Sequence, residues 1–357
     1  MRKNKKILIV AGARPNFMKV APIMRLINKE KSLSTHLVHT GQHYDDKMSN
    51  VFFNELQIPK PEYNLNVGSG SHASQTAKIM LEFEKVCIES RPDFVILVGD
   101  VNSTLACAIT AKKMNIKIIH IEAGLRSFDR KMPEEINRLV TDSITDYFFI
   151  TEKSAETNLL NEGVSKNKIY FVGNLMIDSL HFGLKKISSI KNNINHDFGL
   201  VTLHRPSNVD NIKVFRDILS ALDEISRELV LYFSVHPRTQ KIIKRKKIKI
   251  PENIIILDSL PYFDFLKYMR DSKVIFTDSG GIQEETTVLK IPCYTLRENT
   301  ERPITLEVGT NHLVGVNKKK ILSVFKEKKF SIKGSYKVPD GWDGYASNRI
   351  IEILKKI

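Results

Sequence analysis

A chain of 357 residues is too long for one ordinary core and divides by default into two domains of about 150–180 residues. Its 42% apolar and 27% charged content is that of a globular protein, and no apolar run reaches the ~18–20 residues that span a bilayer. The net charge of +15 would suit a nucleic-acid partner, but the lysines gather at Lys3–Lys6, Lys241–Lys249 and Lys318–Lys329 as solvated loops and helix faces with no nucleic-acid motif beside them.

In chain order, the basic start Met1-Arg2-Lys3-Asn4-Lys5-Lys6 runs into Ile7–Ala11, an apolar piece too short for a signal peptide. It reads as the first strand of a cytoplasmic protein. The turn after it is Gly12-Ala13-Arg14-Pro15, with Lys19 close behind. That is not G-x-G-x-x-G, so bound NAD is not indicated. No Walker motif is present. Leu37–His39 is the next strand and precedes Gln42-His43. Phe94–Val98 ends at Gly99-Asp100. Asp100 suits either a turn or cap for a helix beginning near Ser103, or a ligand group.

Lys117–Ile121 leads into the most informative stretch, His120-Ile121-Glu122-Ala123-Gly124-Leu125-Arg126, followed by Met132-Pro133-Glu134-Glu135-Ile136-Asn137-Arg138. Three carboxylates and two arginines thus meet at a strand's carboxyl end, the edge where open α/β sheets bind ligands. Pro133 suits a first helical position, placing Glu134 and Glu135 in the first turn. Arg138 falls one turn after Glu134 on the same face, a spacing that also suits a plain internal ion pair. Tyr147–Ile150 closes this first series of strands.

Leu180–Asn195, polar and rich in Lys and Asn, marks the domain boundary. A second series follows at Phe198–Leu203, Val230–Val235, Ile254–Leu257, Lys273–Thr277 and Cys293–Leu296. Strands alternating with amphipathic helices predict α/β domains with parallel sheets covered on both faces. The natural architecture is two Rossmann-like domains, 1–180 and 196–345, facing each other across a cleft. The segment 346–357 reads as a helix with its apolar stripe at Ile350, Ile351 and Leu354. Cys87, Cys107 and Cys293 are odd in number and widely spaced, which argues for buried free thiols rather than disulfides or a metal cluster.

The second series carries its own strand-end groups. After Val274–Phe276 comes Thr277-Asp278-Ser279-Gly280-Gly281-Ile282-Gln283-Glu284-Glu285. Ser279 suits an N-cap, and Gly280 and Gly281 let backbone N–H groups approach a pyrophosphate at the helix start. Glu285, about two turns in, is placed to accept both hydroxyls of a ribose. Arg297-Glu298-Asn299-Thr300-Glu301-Arg302-Pro303 follows the next strand. His204-Arg205-Pro206-Ser207 and His236-Pro237-Arg238 follow two others. A histidine in that position is usually structural or capping; two at equivalent places point to a ligand site.

Taken together, these segments resemble the non-hydrolysing UDP-N-acetylglucosamine 2-epimerases. The motifs HIEAGLR…MPEEINR and DSGGIQEE…TERP carry the likeness, with Gly12–Lys19, Gly41–Asp45, Gly99–Thr104, Gly173-Asn174, His204-Arg205 and Asp343–Ser347 in the same order. The resemblance implies a GT-B architecture in which the C-terminal domain holds UDP, the sugar lies in the cleft and the final helix 346–357 completes the first domain. It implies interconversion of UDP-GlcNAc and UDP-ManNAc for surface polysaccharides, by a homodimer that needs neither NAD nor a metal and no nucleic-acid or membrane partner.

Inverting C2 is awkward, because the C2–H is not beside a carbonyl. Without NAD, elimination of UDP to 2-acetamidoglucal and re-addition with protonation on the opposite face is what remains. On this reading Asp100, Glu122 and Glu134 supply acid, base and transition-state groups, and His204 serves the leaving phosphate. Arg14, Lys19 and Arg138 would stabilise developing charge. Ser279, Gly280, Gly281, Glu285 and Arg302 would hold UDP, with His236 nearby.

The chain departs from the family at two places. Gln42-His43 is followed by Tyr44-Asp45 rather than Arg, which leaves open an allosteric UDP-GlcNAc site built on Gln42 and His43. The histidine motif reads His204-Arg205-Pro206-Ser207 rather than His-Arg-Arg-Glu. A UDP-diacetamido-uronate epimerase, a hydrolysing epimerase releasing ManNAc, a GT-B glycosyltransferase and a non-catalytic nucleotide-sugar sensor are the alternatives.

Overall fold

The computed structural model describes residues 4–41, 53–190, 192, 194–332, 334 and 336–357. The first series of apolar runs forms a wholly parallel sheet. Its strands are β1 (Lys5–Ala11), β2 (Leu33–His39), β3 (Tyr63–Asn64), β4 (Phe94–Val98), β5 (Lys117–Ile121), β6 (Tyr147–Ile150) and β7 (Ile169–Phe171), in the order β3-β2-β1-β4-β5-β6-β7. The second series forms another: β8 (Phe198–Thr202), β9 (Val230–Ser234), β10 (Ile254–Leu257), β11 (Val274–Thr277), β12 (Cys293–Thr295) and β13 (Asn311–Leu313), in the order β10-β9-β8-β11-β12-β13. Every residue of β4 and β11 is buried, which is why these strands read as continuous apolar runs instead of alternating ones. β3, β7 and β13 have two or three residues each and escape a pattern-based reading.

The chain divides into two compact units, Met1–His181 with Asp340–Ile357, and Phe182–Pro339. The expected break at Leu180–Asn195 is helical as far as Ile187, at the end of the helix Leu175–Ile187. Residues after His181 go with the second unit because Gly183 packs on Leu266, Tyr262 and Phe263, and Arg270 donates to the carbonyls of Ile187 (3.1 Å) and Ile190 (3.0 Å). Residues 340–345, expected in the second domain, go with the first. Trp342 is buried there and its Nε1 donates to the Thr151 carbonyl at 3.3 Å.

The helix Ala346–Lys356 buries Ile350, Ile351 and Leu354, the stripe read from the sequence. Asp178 caps it from outside, accepting from the N–H groups of Ala346 (3.1 Å) and Ser347 (2.8 Å) and from the Ser347 hydroxyl (2.6 Å). All three cysteines are buried free thiols, and burial pushes those of Cys87 and Cys293 up to about 12. Among the described residues, no helix is long and apolar enough to cross a membrane.

Candidate active site

In each sheet the strand order reverses once, between β1 and β4 in the first and between β8 and β11 in the second. The carboxyl ends of such strand pairs form a crevice where open α/β sheets take ligands. The charged motifs of the sequence collect at these two places.

At the β1/β4 point of the first unit, Asn16 ties the two strand ends together. Its Oδ1 accepts from the N–H groups of Gly12 (3.2 Å) and Ala13 (3.0 Å), and its Nδ2 donates to the Val98 carbonyl (2.8 Å). One turn on, the Lys19 ammonium pairs with the Glu122 carboxylate, both groups buried. Gly99 lies beneath them with φ +71°, and a Cβ there would sit 3.3–3.4 Å from Asn16, Glu122 and Lys19. Glu122 itself has φ +70°, a left-handed backbone that costs a side-chain-bearing residue about 1–3 kcal/mol. Such strain persists only where the surroundings over-determine it, and here both Glu122 and Ala123 donate to the Phe149 carbonyl (3.0 and 3.3 Å).

Asp100 is neither cap nor free turn. The helix Asn102–Lys113 has Val101 at its N-cap position, and the Asp100 carboxylate pairs with the Arg138 guanidinium. Arg138 stands on the helix Pro133–Ile144, which opens with Pro133 and carries Glu134 and Glu135 in its first turn as expected. The expected Glu134–Arg138 face is corrected. Arg138 pairs three residues back with Glu135 at 2.7 Å, and Glu134 is exposed. Burial alone would raise Glu135, but the Ser127 N–H, Arg138 and the Phe128 N–H outweigh it and hold its carboxyl below the usual range.

At the β8/β11 point of the second unit, the organiser is Asp278, fully buried. It accepts from the backbone N–H groups of His204 (3.1 Å) and Arg205 (3.0 Å) and from Asn208 Nδ2 (3.1 Å), and stands 2.9 Å from His204 Nδ1. Burial opposes its charge, but His204 and these N–H groups hold its carboxyl below the usual range. Asp278 therefore fixes the imidazole at Nδ1, while the His204 side chain as a whole is 42% exposed. Beside this pair, Arg205 (3.3 Å) and Arg297 (2.7 Å) converge on the buried Glu301. Burial would raise Glu301, but Arg297, Arg205 and Arg302 overcome it and depress its carboxyl strongly. A Cβ on Gly280 would sit 2.8 Å from the Glu301 carboxylate, so glycine at the start of the helix Gly280–Leu289 leaves that carboxylate its place between the arginines.

Ser279 occupies the N-cap position of that helix, but its side chain does not cap it; its N–H donates to Thr277 Oγ1 at 3.0 Å. Glu285 is buried and accepts from the Tyr262 hydroxyl at 2.8 Å. Arg302 pairs with Glu284 at 2.7 Å. His236 caps the helix Pro237–Arg245, accepting from the Arg238 N–H, with its ring 6.0 Å from that of His204. Gly281 is the second residue of the Gly280–Leu289 helix. Arg14 opens the helix Arg14–Ile27, and its side chain, like Gln42 and His43, lies outside the described residues. Among the described residues, no group of three His, Cys, Asp or Glu is placed to hold a metal ion. Sequence reasoning gave no role to Asp278 or Glu301. Asp278 had a signal, since it ends its strand as Asp100 does; Glu301 had none beyond its arginine neighbours.

The depressed carboxyls set an acid limit. A group whose folded pKa lies below its unfolded value of ~4 stabilises above that value and loses this contribution as pH falls through the folded one. Thermal denaturation of the protein should therefore give a midpoint that is level from about pH 7 to 5 and falls below it. A midpoint rising on acidification below pH 5 would contradict the assignment.

The family model described as UDP-N-acetylglucosamine 2-epimerase matches residues 25–355. A Methanocaldococcus jannaschii protein named UDP-N-acetylglucosamine 2-epimerase is 44% identical, with 98% of each chain covered. A Pseudomonas aeruginosa protein named UDP-2,3-diacetamido-2,3-dideoxy-D-glucuronate 2-epimerase is 39% identical, covering 99% of this chain and 100% of that one. The crystal structure of M. jannaschii UDP-GlcNAc 2-epimerase in complex with UDP-GlcNAc and UDP superposes with a TM-score of 0.90 at 42% identity, covering 99% of this chain and 100% of that one. With two switch-point clusters, a family match over most of its length and full-length relatives at this identity, the chain belongs to the UDP-N-acetylglucosamine 2-epimerase family.

Proposed function

We propose that this protein inverts C2 of UDP-N-acetylglucosamine, giving UDP-N-acetylmannosamine. The observation that carries the chemistry is the pair of carboxylates, Asp100 and Glu122, at the ends of the adjacent strands β4 and β5, each tied to a cation, Arg138 and Lys19. One carboxylate takes the C2 proton as the C1–O bond to UDP breaks with its electron pair. The products of that half-reaction are 2-acetamidoglucal and UDP. In the return step UDP oxygen re-forms the bond to C1 and a carboxylic acid delivers a proton to the opposite face of C2. Glu134 is the third candidate for these exchanges. Lys19, Arg138 and Arg14 offset charge that develops on the way.

In the second unit, His204 held by Asp278 serves the departing diphosphate, and Ser279, Gly280, Gly281, Arg302 and His236 contribute to holding UDP. Glu285 takes the ribose in this scheme. No step draws on NAD or a metal. A homodimer acting in the cytoplasm for surface-polysaccharide synthesis completes the reading, and an activator site at Gln42 and His43 belongs to it as a separate question.

The test is proton NMR of the protein with UDP-N-acetylglucosamine in D2O, with no acceptor added. UDP-N-acetylmannosamine carrying deuterium at C2 is the expected product. Free N-acetylmannosamine plus UDP would replace the reading with hydrolysis. Turnover of only the diacetamido-glucuronate analogue would favour the second reading, which the P. aeruginosa relative supports.

A further inference from the structure

His120 is fully buried, and both of its ring nitrogens face acceptors. Nε2 lies 2.9 Å from the Gly99 carbonyl and Nδ1 lies 2.6 Å from Asp142 Oδ1. A carbonyl cannot donate, so Nε2 carries a proton. The other proton lies either on Nδ1 or on Asp142. Asp142 Oδ2 already accepts from the Gly124 N–H (2.9 Å) and stands 2.7 Å from the Arg126 guanidinium, which continues to Glu162 at 2.6 Å. A carboxylate gripped by an N–H and a guanidinium is stabilised as the anion. Burial opposes that charge, but His120, Arg126 and Gly124 overcome it and hold Asp142 below the usual carboxylate range.

This set lies directly under the two carboxylates of the proposed reaction. His120 grips the Gly99 carbonyl, and Gly99 (φ +71°) immediately precedes Asp100. Asp142 grips His120 and Gly124, the residues two before and two after the left-handed Glu122. Gly124 (φ +76°) has no room for a side chain, because a Cβ there would sit 2.5 Å from the Ala155 carbonyl. One carboxylate thereby anchors both ends of the Glu122 turn and, through the imidazole, the turn that presents Asp100.

We propose that Asp142 and a doubly protonated His120 form a buried positioning pair that sets Asp100 and Glu122 for proton exchange. Neither residue touches substrate in this role. The inference rests on the proposed epimerase reading for what the two carboxylates do, but not for the protonation state of the pair.

The test uses Asp142→Asn in the full chain. The amide oxygen retains the Gly124 N–H and Arg126 as donors, and the amide NH2 then points at His120 Nδ1. That nitrogen must become an acceptor, so the imidazole turns neutral with its position kept. Nitrogen-15 NMR of histidine-labelled protein reads this directly, with the His120 signal assigned by its loss in His120→Gln. The wild type is expected to show both ring nitrogens protonated, and D142N only one. In D142N, kcat should fall by about 10²-fold, the loss expected of a misplaced reacting group, with KM and UDP affinity unchanged within threefold.

A single protonated nitrogen in the wild type overturns the pair. So does D142N turning over at more than half the wild-type rate, or a loss confined to KM. Wild-type protein inactive on UDP-N-acetylglucosamine would overturn the epimerase reading alone, since the nitrogen signature is independent of substrate. If D142N does not fold, the wild-type spectrum still decides the protonation state on which the proposal stands.

Discussion

Glu122→Gln is expected to lower kcat on UDP-N-acetylglucosamine by about 10²–10⁴-fold, the range that one general acid or base contributes. The substitution is chosen for its shape. Glutamine fills the same space, and its amide oxygen still accepts from the buried Lys19 ammonium. What it cannot do is take or return a proton. Glu122→Ala would be less informative, because it leaves Lys19 charged and buried without its partner, at a cost of about 3–5 kcal/mol. Lost activity would then be mixed with lost structure. Steady-state kinetics of the Gln variant, with UDP binding by calorimetry as the folding control, separates the two. A kcat within tenfold of wild type would move the proton-transfer role to Asp100 or Glu134.

Asp278→Ala should be the most damaging single change in the second unit. Truncation strips the acceptor from two backbone N–H groups, from Asn208 and from the His204 ring. Buried donors left without acceptors cost about 1–3 kcal/mol each, although Asn208 keeps its second bond, to the Leu296 carbonyl at 2.8 Å. A loss of about 3–5 kcal/mol is expected, seen as a thermal midpoint lowered by roughly 10 °C. Asp278→Asn keeps one acceptor oxygen and should fold better, yet it removes the charge that orients His204. It is expected to retain the midpoint within a few degrees while losing turnover. An alanine variant as stable as wild type would show that water replaces the carboxylate and that Asp278 organises nothing.

The strands of both sheets were legible because burial on two faces makes a parallel strand an unbroken apolar run. β4 and β11 are the clearest cases. The short edge strands β3, β7 and β13 were not, since two or three residues cannot display a period. Strand-end motifs singled out Lys19, Asp100, Glu122, Arg138 and His204, and the fold sets these residues at strand ends or in ion pairs with groups that are. Partner choice was less legible. Helical spacing makes Glu134 and Glu135 equally plausible companions of Arg138, and only the packing of the Ser127–Phe128 turn onto Glu135 decides between them. Asp142 was invisible for a different reason. It lies two turns into a helix with no local signature, and its importance comes from β5 folding against it.

The first unit is discontinuous along the chain: Asp178 caps the helix Ala346–Lys356, and roughly 160 residues of the other unit lie between. That arrangement imposes an order on synthesis. At about 5–20 residues per second, the ribosome takes on the order of ten to thirty seconds to pass through the intervening unit. Throughout that interval the surface that receives Ile350, Ile351 and Leu354 has emerged without its cover. The second unit, contiguous in sequence, is complete first. The nascent protein thus closes from the inside of its sequence outward, and its first unit is finished only by residues that follow the whole of the second.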